Sequence, residues 1–135
     1  MDELEKKNGW KTKLAIEALI ERPGALESAL DMAKASPRMA GLIFGIADYT
    51  AELGVDPSAC LDIQNEVFYY EKKAVITAAK AAGLHAIDNV YLGLWRKDDT
   101  PERIKEVEDG LRKKVQGSAL IAVSYTHLTL PTTLS

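Results

Sequence analysis

Cysteine, histidine and long apolar runs are scarce in this chain, and each scarcity excludes a class of protein. Cys60 is the single cysteine among 135 residues, which excludes an internal disulfide and a cysteine-rich zinc site. Of the two histidines, His85 has no acid or second histidine at ligand spacing. No apolar run approaches the ~20 residues that a membrane span needs, and no signal peptide opens the chain. The sequence therefore predicts a soluble, cytoplasmic protein with no membrane partner.

The chain also lacks an excess of positive charge. Its 17 basic and 20 acidic side chains give a net charge of −3, so electrostatics favour neither nucleic acid nor an anionic membrane as a partner. Apolar residues make up 47% of the sequence, which is enough to bury the core of one domain.

Apolar runs alternate with amphipathic segments along the chain, which is typical of a parallel α/β fold. Proline and glycine mark several boundaries, such as Pro23 and Pro101 at helix starts and Gly83 at a helix end. The pattern predicts strands at residues 11–20, 39–44, 85–94 and 118–122, and helices at residues 1–8, 23–35, 49–54, 66–82 and 101–114.

Two carboxylates, Glu21 and Asp48, each come directly after an apolar run, at residues 14–20 and 41–47. They are 27 residues apart with a helix opened by Pro23 between them, which fits one strand–helix–strand crossover. A right-handed crossover makes the two strands parallel and places both acids at the carboxyl edge of the sheet. Two carboxylates at one edge repel unless a cation or proton lies between them, and oxygen ligands suit Mg²⁺. The spacing favours a metal-dependent α/β enzyme.

The same two acids have a simpler explanation. Carboxylates at helix N-termini are favoured by the helix dipole and by capping. On that interpretation Glu21 and Asp48 only stabilise helices, and the chain is a non-catalytic α/β domain that binds a partner.

Four segments carry a resemblance to a known family. They are IERPG at 20–24, SPRM at 36–39, IFGIAD at 43–48 and AAKAAGLHAID at 78–88. Together they resemble the HpcH/HpaI aldolase/citrate lyase family, and within it the citrate lyase β-subunits and malyl-CoA lyases. The resemblance extends over residues 11–121.

This resemblance implies a (β/α)₈ barrel, of which the chain supplies only a part. A complete barrel needs ~250 residues, so residues 1–122 form a partial barrel with about four parallel strands, roughly the fifth to the eighth. We expect the substrate-binding arginine of the family and its catalytic acid/base to lie outside this sequence. Relatives carry the acid/base on a C-terminal lid that crosses a subunit interface, so we expect a homo-oligomeric full-length enzyme and an inactive fragment.

The resemblance also implies a reaction. Glu21 and Asp48 would hold Mg²⁺, and the backbone N–H groups of Ala47 and Asp48 would face the substrate carboxylate. The expected function is a carbon–carbon lyase that cleaves or forms a 3-hydroxy-acyl-CoA of the malyl-CoA or citryl-CoA type, with acetyl-CoA and a 2-oxo acid as the other partners. The alternative within the family is a class II pyruvate aldolase acting on 4-hydroxy-2-oxo acids. Asp88 either lies near the active face or forms structural hydrogen bonds.

The end of the chain differs in character from the rest. No charged residue follows Lys114, and residues 123–135 do not resemble the family. They resemble instead the in-frame translation of a sequencing-library adapter. We therefore expect residues 123–135 to be a non-native tail.

Overall fold

A computed structural model of the protein describes residues 1–56, 58, 67–91, 93 and 96–120. For residues 118–120 it describes the backbone alone. Helices and strands alternate along this part of the chain. They are α1 (Asp2–Lys7), β1 (Ile16–Ile20), α2 (Pro23–Glu27), α3 (Ala29–Lys34), β2 (Met39–Phe44), α4 (Ile46–Leu53), α5 (Tyr69–Ala81), β3 (His85–Ile87) and α6 (Pro101–Leu120).

The three strands form one parallel sheet in the order β1-β2-β3. Ile20 pairs with Phe44, and Ile43 pairs with Ile87, so all three strands point the same way. Each new strand is added beside the previous one, as in an arc of a barrel. A doubly wound sheet would instead reverse its order at a switch point. The predicted α/β class with parallel strands is confirmed.

One face of the sheet is covered by helices, and the other is open along β1. On the covered face Ile20, Leu42 and Ala86 are inaccessible to solvent, and they pack with residues of α3 and α5 in one apolar core. On the open face of β1, Glu17 and Leu19 are exposed, Leu19 to 46%. This alternation follows from the two-residue repeat of a β-strand.

Three aromatic rings close the core near the carboxyl end of β2. Phe44 lies 5.3 Å from Tyr49 and 6.1 Å from Phe68 between ring centroids, and Tyr49 meets Phe68 edge-on at 5.9 Å. Such tilted contacts bury large apolar area in a favourable ring geometry. They fix the start of α4 against the start of α5.

At the opposite, amino-terminal edge of the sheet, an ion pair holds α1 in place. Arg38 donates to Glu5 Oε1 at 2.6 Å and to Glu5 Oε2 at 2.8 Å, and it also contacts Asp2. Glu5 Oε1 accepts a bond from the Leu14 backbone N–H at 2.8 Å, and Arg38 donates to the Leu14 carbonyl. The carboxylate and guanidinium thereby tie α1 to the segments that lead into β1 and β2.

The first strand is shorter than predicted, and the prediction of residues 11–15 as strand is wrong. Pairing begins at Ile16 opposite Met39, because β2 itself begins only after Pro37, which has no N–H to donate. The backbone of Leu14 is engaged by the side chains of Glu5 and Arg38 instead of a strand.

Two predicted helices have different limits. The helix predicted at residues 23–35 is divided at Ser28, which ends α2 and precedes α3 with φ −101° and ψ 11°. The helix predicted at residues 49–54 begins earlier, at Ile46, directly after the Gly45 turn. α5 ends as predicted before Gly83, whose φ of +74° suits a residue without a Cβ.

The last two predicted strands also need correction. Among the described residues of the predicted strand 85–94, His85–Ile87 pair with β2, and residues 92 and 94 lie outside the described residues. Residues 118–120, predicted as a fourth strand, continue α6, because a helix satisfies its own backbone groups where the described residues offer no strand partner. Residues 121–122 and the expected non-native tail at 123–135 lie outside the described residues. Within the described part of the chain, no helix is both long and apolar enough to cross a membrane.

Candidate metal centre

Glu21 and Asp48 lie at the same edge of the sheet. Glu21 directly follows β1, and Asp48 lies in the first turn of α4, which starts two residues after β2 ends. Because β1 and β2 are parallel neighbours, both carboxylates belong to the carboxyl edge. The placement is the one that their 27-residue spacing predicts.

A single glycine allows the two side chains to share this edge. Gly45 is the turn between β2 and α4, and its N–H donates to the Ile20 carbonyl at 2.8 Å. A Cβ built on Gly45 would lie 2.7 Å from Glu21 Cβ and 3.2 Å from Leu19 Cγ. The φ of Gly45 is −91°, which any residue can adopt, so the backbone conformation does not require glycine here. Glycine is needed because its missing Cβ lets Glu21 approach the turn closely. Glu21 can therefore lie across the end of β2.

The two acids line one open cleft of about 350 Å³. Arg22, Ala51 and Glu52 form the rest of the lining. Arg22 Nη2 lies 3.2 Å from Glu52 Oε1, and both side chains are exposed. The ion pair neutralises Glu52, so Glu21 and Asp48 are the acids of this cleft that a cation would approach.

The donor set fits a hard divalent cation. Carboxylate oxygens line the cleft, and the part of the chain that the structure describes contains no group of three or more histidine, cysteine and acidic side chains able to hold a metal. Mg²⁺ is commonly bound through one or two carboxylates, with water and substrate completing its shell. Glu21 and Asp48 meet that requirement, and a zinc site of the usual composition has no counterpart among the described residues.

The start of α4 adds hydrogen-bond donors to the cleft. The N–H groups of Ala47 and Asp48 belong to the first helical turn, where the i→i−4 pattern supplies no acceptor within the helix. The helix dipole adds partial positive charge at this end. An anionic group bound beside Asp48 would therefore meet two backbone donors.

Asp88 directly follows β3 at the same carboxyl edge of the sheet, but it is not among the lining residues of the cleft. Its carboxylate is buried, with Lys72 Nζ at 3.5 Å from Oδ1 and Lys114 Nζ at 3.1 Å from Oδ2. Lys114 also donates to Asn89 Oδ1 at 3.1 Å. Burial lowers the pKa of Lys72 to about 8, against the opposing attraction of Asp88. Of the two roles open for Asp88, the structure supports the structural one.

The sequence pattern did not predict Glu52 as a lining residue of the cleft or Gly45 as the residue that positions Glu21. Glu52 forms an ion pair with Arg22, which lies 30 residues earlier in the chain. A local sequence pattern cannot predict a pair at that separation. The role of Gly45 could have been found, because a glycine between an apolar strand and an acid-bearing helix often marks close backbone approach.

Comparison with known proteins relates the chain to a family of aldolases and lyases. The family model described as HpcH/HpaI aldolase/citrate lyase matches residues 3–121. The citrate lyase subunit beta of Escherichia coli K12 is 31% identical over 74 residues, which are 55% of this chain and 23% of that subunit.

Three solved structures are similar in fold. A citrate lyase from Burkholderia xenovorans LB400 has a TM-score of 0.58 and 22% identity, covering 70% of this chain and 30% of its own. RipC from Yersinia pestis has a TM-score of 0.63 and 21% identity, covering 91% and 49%. Haloferax volcanii malate synthase, in a pyruvate/acetyl-CoA ternary complex, has a TM-score of 0.55 and 19% identity, covering 96% and 39%.

These likenesses show that the fold is a partial TIM barrel. The chain spans less than half of each of these three solved chains and under a quarter of the E. coli subunit. The metal-binding role of Glu21 and Asp48 stays a prediction.

Proposed function

The chain belongs to the HpcH/HpaI aldolase/citrate lyase family, and from that premise we propose that it is part of a Mg²⁺-dependent carbon–carbon lyase. Lyase and aldolase chemistry is common to the family. The substrate class proposed for the whole enzyme is a 3-hydroxy-acyl-CoA of the malyl-CoA or citryl-CoA type, cleaved to acetyl-CoA and a 2-oxo acid. The citrate lyase and malate synthase relatives support this substrate class.

The observation that carries the proposal is the pair of carboxylates in one cleft at the carboxyl edge of the sheet. Active sites of β/α barrels lie at this edge. Glu21 and Asp48 would hold the cation in the cleft beside the backbone donors of α4. A bound Mg²⁺ would polarise the substrate oxygen that changes between hydroxyl and keto group.

The residues of this chain would then orient the substrate. The N–H groups of Ala47 and Asp48 would donate hydrogen bonds to the carboxylate of the 2-oxo acid. In the cleavage direction the hydroxyl loses its proton, and the electron pair of the broken carbon–carbon bond passes to the α-carbon of the acetyl thioester. That carbon then takes up a proton. We propose that the acid/base for both transfers comes from outside this sequence, within a cytoplasmic homo-oligomer.

Activity of the complete enzyme tests the proposal. We expect malyl-CoA or citryl-CoA to release a 2-oxo acid in a Mg²⁺-dependent manner, and Asp48→Asn to lower turnover by several orders of magnitude. Glu52→Gln is the matched control, because Glu52 lines the same cleft but is paired with Arg22. Near-normal turnover of Asp48→Asn would refute its role. Cleavage of 4-hydroxy-2-oxo acids without CoA would indicate a pyruvate aldolase instead.

A further inference from the structure

A second cleft lies at the opposite, amino-terminal edge of the sheet, between α1 and the segment that leads into β1. Its volume is about 560 Å³, within the range of small-molecule sites. We name it the Trp10 cleft, and its principal lining residues are Asp2, Glu5, Lys6, Trp10, Lys11 and Lys13. It shares no lining residue with the cleft of Glu21 and Asp48.

The two acids of the Trp10 cleft share one cationic partner, Arg38. Arg38 binds both oxygens of Glu5, at 2.6 and 2.8 Å, and also pairs with Asp2. The hydrogen bonds from Arg38 and from the Leu14 N–H lower the pKa of Glu5 to about 2, with a smaller contribution from the charge of Lys13. Glu5 therefore stays ionised and bound to Arg38.

The lysines of the Trp10 cleft keep their charge available. No ion pair joins Lys6, Lys11 or Lys13 to a carboxylate within the residues that the structure describes. Three ammonium groups thus line a cleft whose two carboxylates are held by Arg38. An anion entering the cleft would meet net positive charge.

Trp10 supplies an aromatic surface beside these charges. Its side chain is 51% exposed, although it lines the cleft. Its backbone N–H donates to the Glu5 carbonyl at 3.0 Å, which ties the residue to the fixed end of α1. A half-exposed indole is a face on which a flat ring can stack.

We propose that the Trp10 cleft binds a nucleoside phosphate. The base would stack on the indole of Trp10, and the phosphates would accept hydrogen bonds from Lys11 and Lys13, with Lys6 adding positive charge. A ligand that uses both the indole and the lysines should bind more tightly than one that uses either alone. A simple anion would not contact the indole, and a neutral aromatic molecule would not pair with the lysines. The site is separate from the proposed lyase centre and does not depend on it.

Tryptophan fluorescence of the full chain tests this proposal. Trp95→Phe leaves Trp10 as the single reporter, and EDTA keeps the metal centre from contributing. We expect ADP to quench the fluorescence saturably, and Lys11→Gln with Lys13→Gln to weaken ADP binding about tenfold or more and to reduce its salt dependence. In calorimetry, Trp10→Leu should weaken ADP binding about tenfold but leave pyrophosphate binding unchanged.

The matched control is the double variant Lys34→Gln with Lys80→Gln, which removes the same charge from exposed lysines elsewhere. It should leave ADP affinity unchanged. The proposal is overturned if ADP fails to saturate, if pyrophosphate binds the unmodified chain as tightly as ADP, or if the control variant loses as much affinity as the Lys11 and Lys13 variant.

Discussion

The position of Glu21 depends on its neighbour Gly45 having no Cβ. With a Cβ at Gly45 only 2.7 Å from Glu21 Cβ, either the glutamate or the turn into α4 would have to move. Two non-bonded Cβ atoms cannot lie so close together without strain. The cleft geometry therefore depends on Gly45 as much as on the two acids.

Replacing Gly45 by alanine tests this dependence. We expect Gly45→Ala to lower the free energy of unfolding by about 1–3 kcal/mol through overpacking, and to weaken any cation binding at Glu21. Urea denaturation followed by circular dichroism measures the first effect. Gly24→Ala is the control, because a Cβ at Gly24 meets nothing within 4 Å and should cost no stability. Equal stability of the two variants would show that the turn adapts freely.

Glu5 makes a second residue-level prediction, on acid stability. Its pKa in the folded protein is about 2, because Arg38 and the Leu14 N–H bind the carboxylate, against an ordinary value of 4.5. Between these values the unfolded chain binds more protons than the folded one, so stability falls as the pH drops from about 4.5 to about 2. In Glu5→Gln this part of the acid destabilisation should be missing.

Urea midpoints at pH 7, 4 and 3 measure that difference. Glu3→Gln, on the exposed side of α1, is the control and should keep the acid sensitivity of the unmodified chain. If Glu5→Gln loses stability with acid as steeply as Glu3→Gln does, the ion pair with Arg38 does not contribute to folding in the way the structure indicates.

At the scale of single residues, the sequence predicts the acids but not their surroundings. Glu21 and Asp48 follow apolar runs at a spacing that one crossover explains, so their shared edge is predictable. The Arg22–Glu52 ion pair depends on tertiary approach over 30 residues, and the burial of Asp88 depends on where α5 and α6 pack. Neither contact produces a periodic pattern in the sequence from which it could be predicted.

The hydrophobic pattern of the sequence predicts the helices and strands correctly where burial determines the structure. It fails where a strand also needs a neighbouring strand to pair with. β2 runs over Met39–Phe44 as predicted, since it is apolar throughout and has a partner on both sides. Parts of two predicted strands, residues 11–15 and 118–120, are not strand, because neither has a neighbouring strand to bond with among the described residues. Pairing is a property of the sheet and cannot be predicted from one segment.

The junction of α5, β3 and α6 depends on the buried carboxylate of Asp88. Removing its charge would leave the ammonium groups of Lys72 and Lys114 buried with less compensation. Breaking a buried ion pair by losing one partner costs about 3–5 kcal/mol. We expect Asp88→Asn to lower the unfolding free energy by about that amount in urea titrations. Asp48→Asn, at an exposed position, should change it by about 0.5 kcal/mol or less. Similar losses in both variants would contradict the structural role of Asp88.

On the scale of the whole molecule, the partial barrel leaves apolar surface uncovered. Leu19 is 46% exposed on the open face, and within the described residues β1 and β3 each pair on one side only. Open edges and apolar faces promote association. We expect the chain to self-associate in size-exclusion chromatography, both with and without residues 123–135. A well-behaved monomer that unfolds on removal of residues 123–135 would show that this segment is native structure.

The central claim is that Glu21 and Asp48 together form a Mg²⁺ site, and calorimetric titration of the chain with Mg²⁺ tests it most directly. The account predicts one site per chain, with affinity weakened about tenfold or more in Glu21→Gln and in Asp48→Asn but retained in Glu52→Gln. Acids that only cap helices would give no specific site. Mg²⁺ binding that is absent from the unmodified chain, or that persists unchanged in both Glu21→Gln and Asp48→Asn, would contradict the claim.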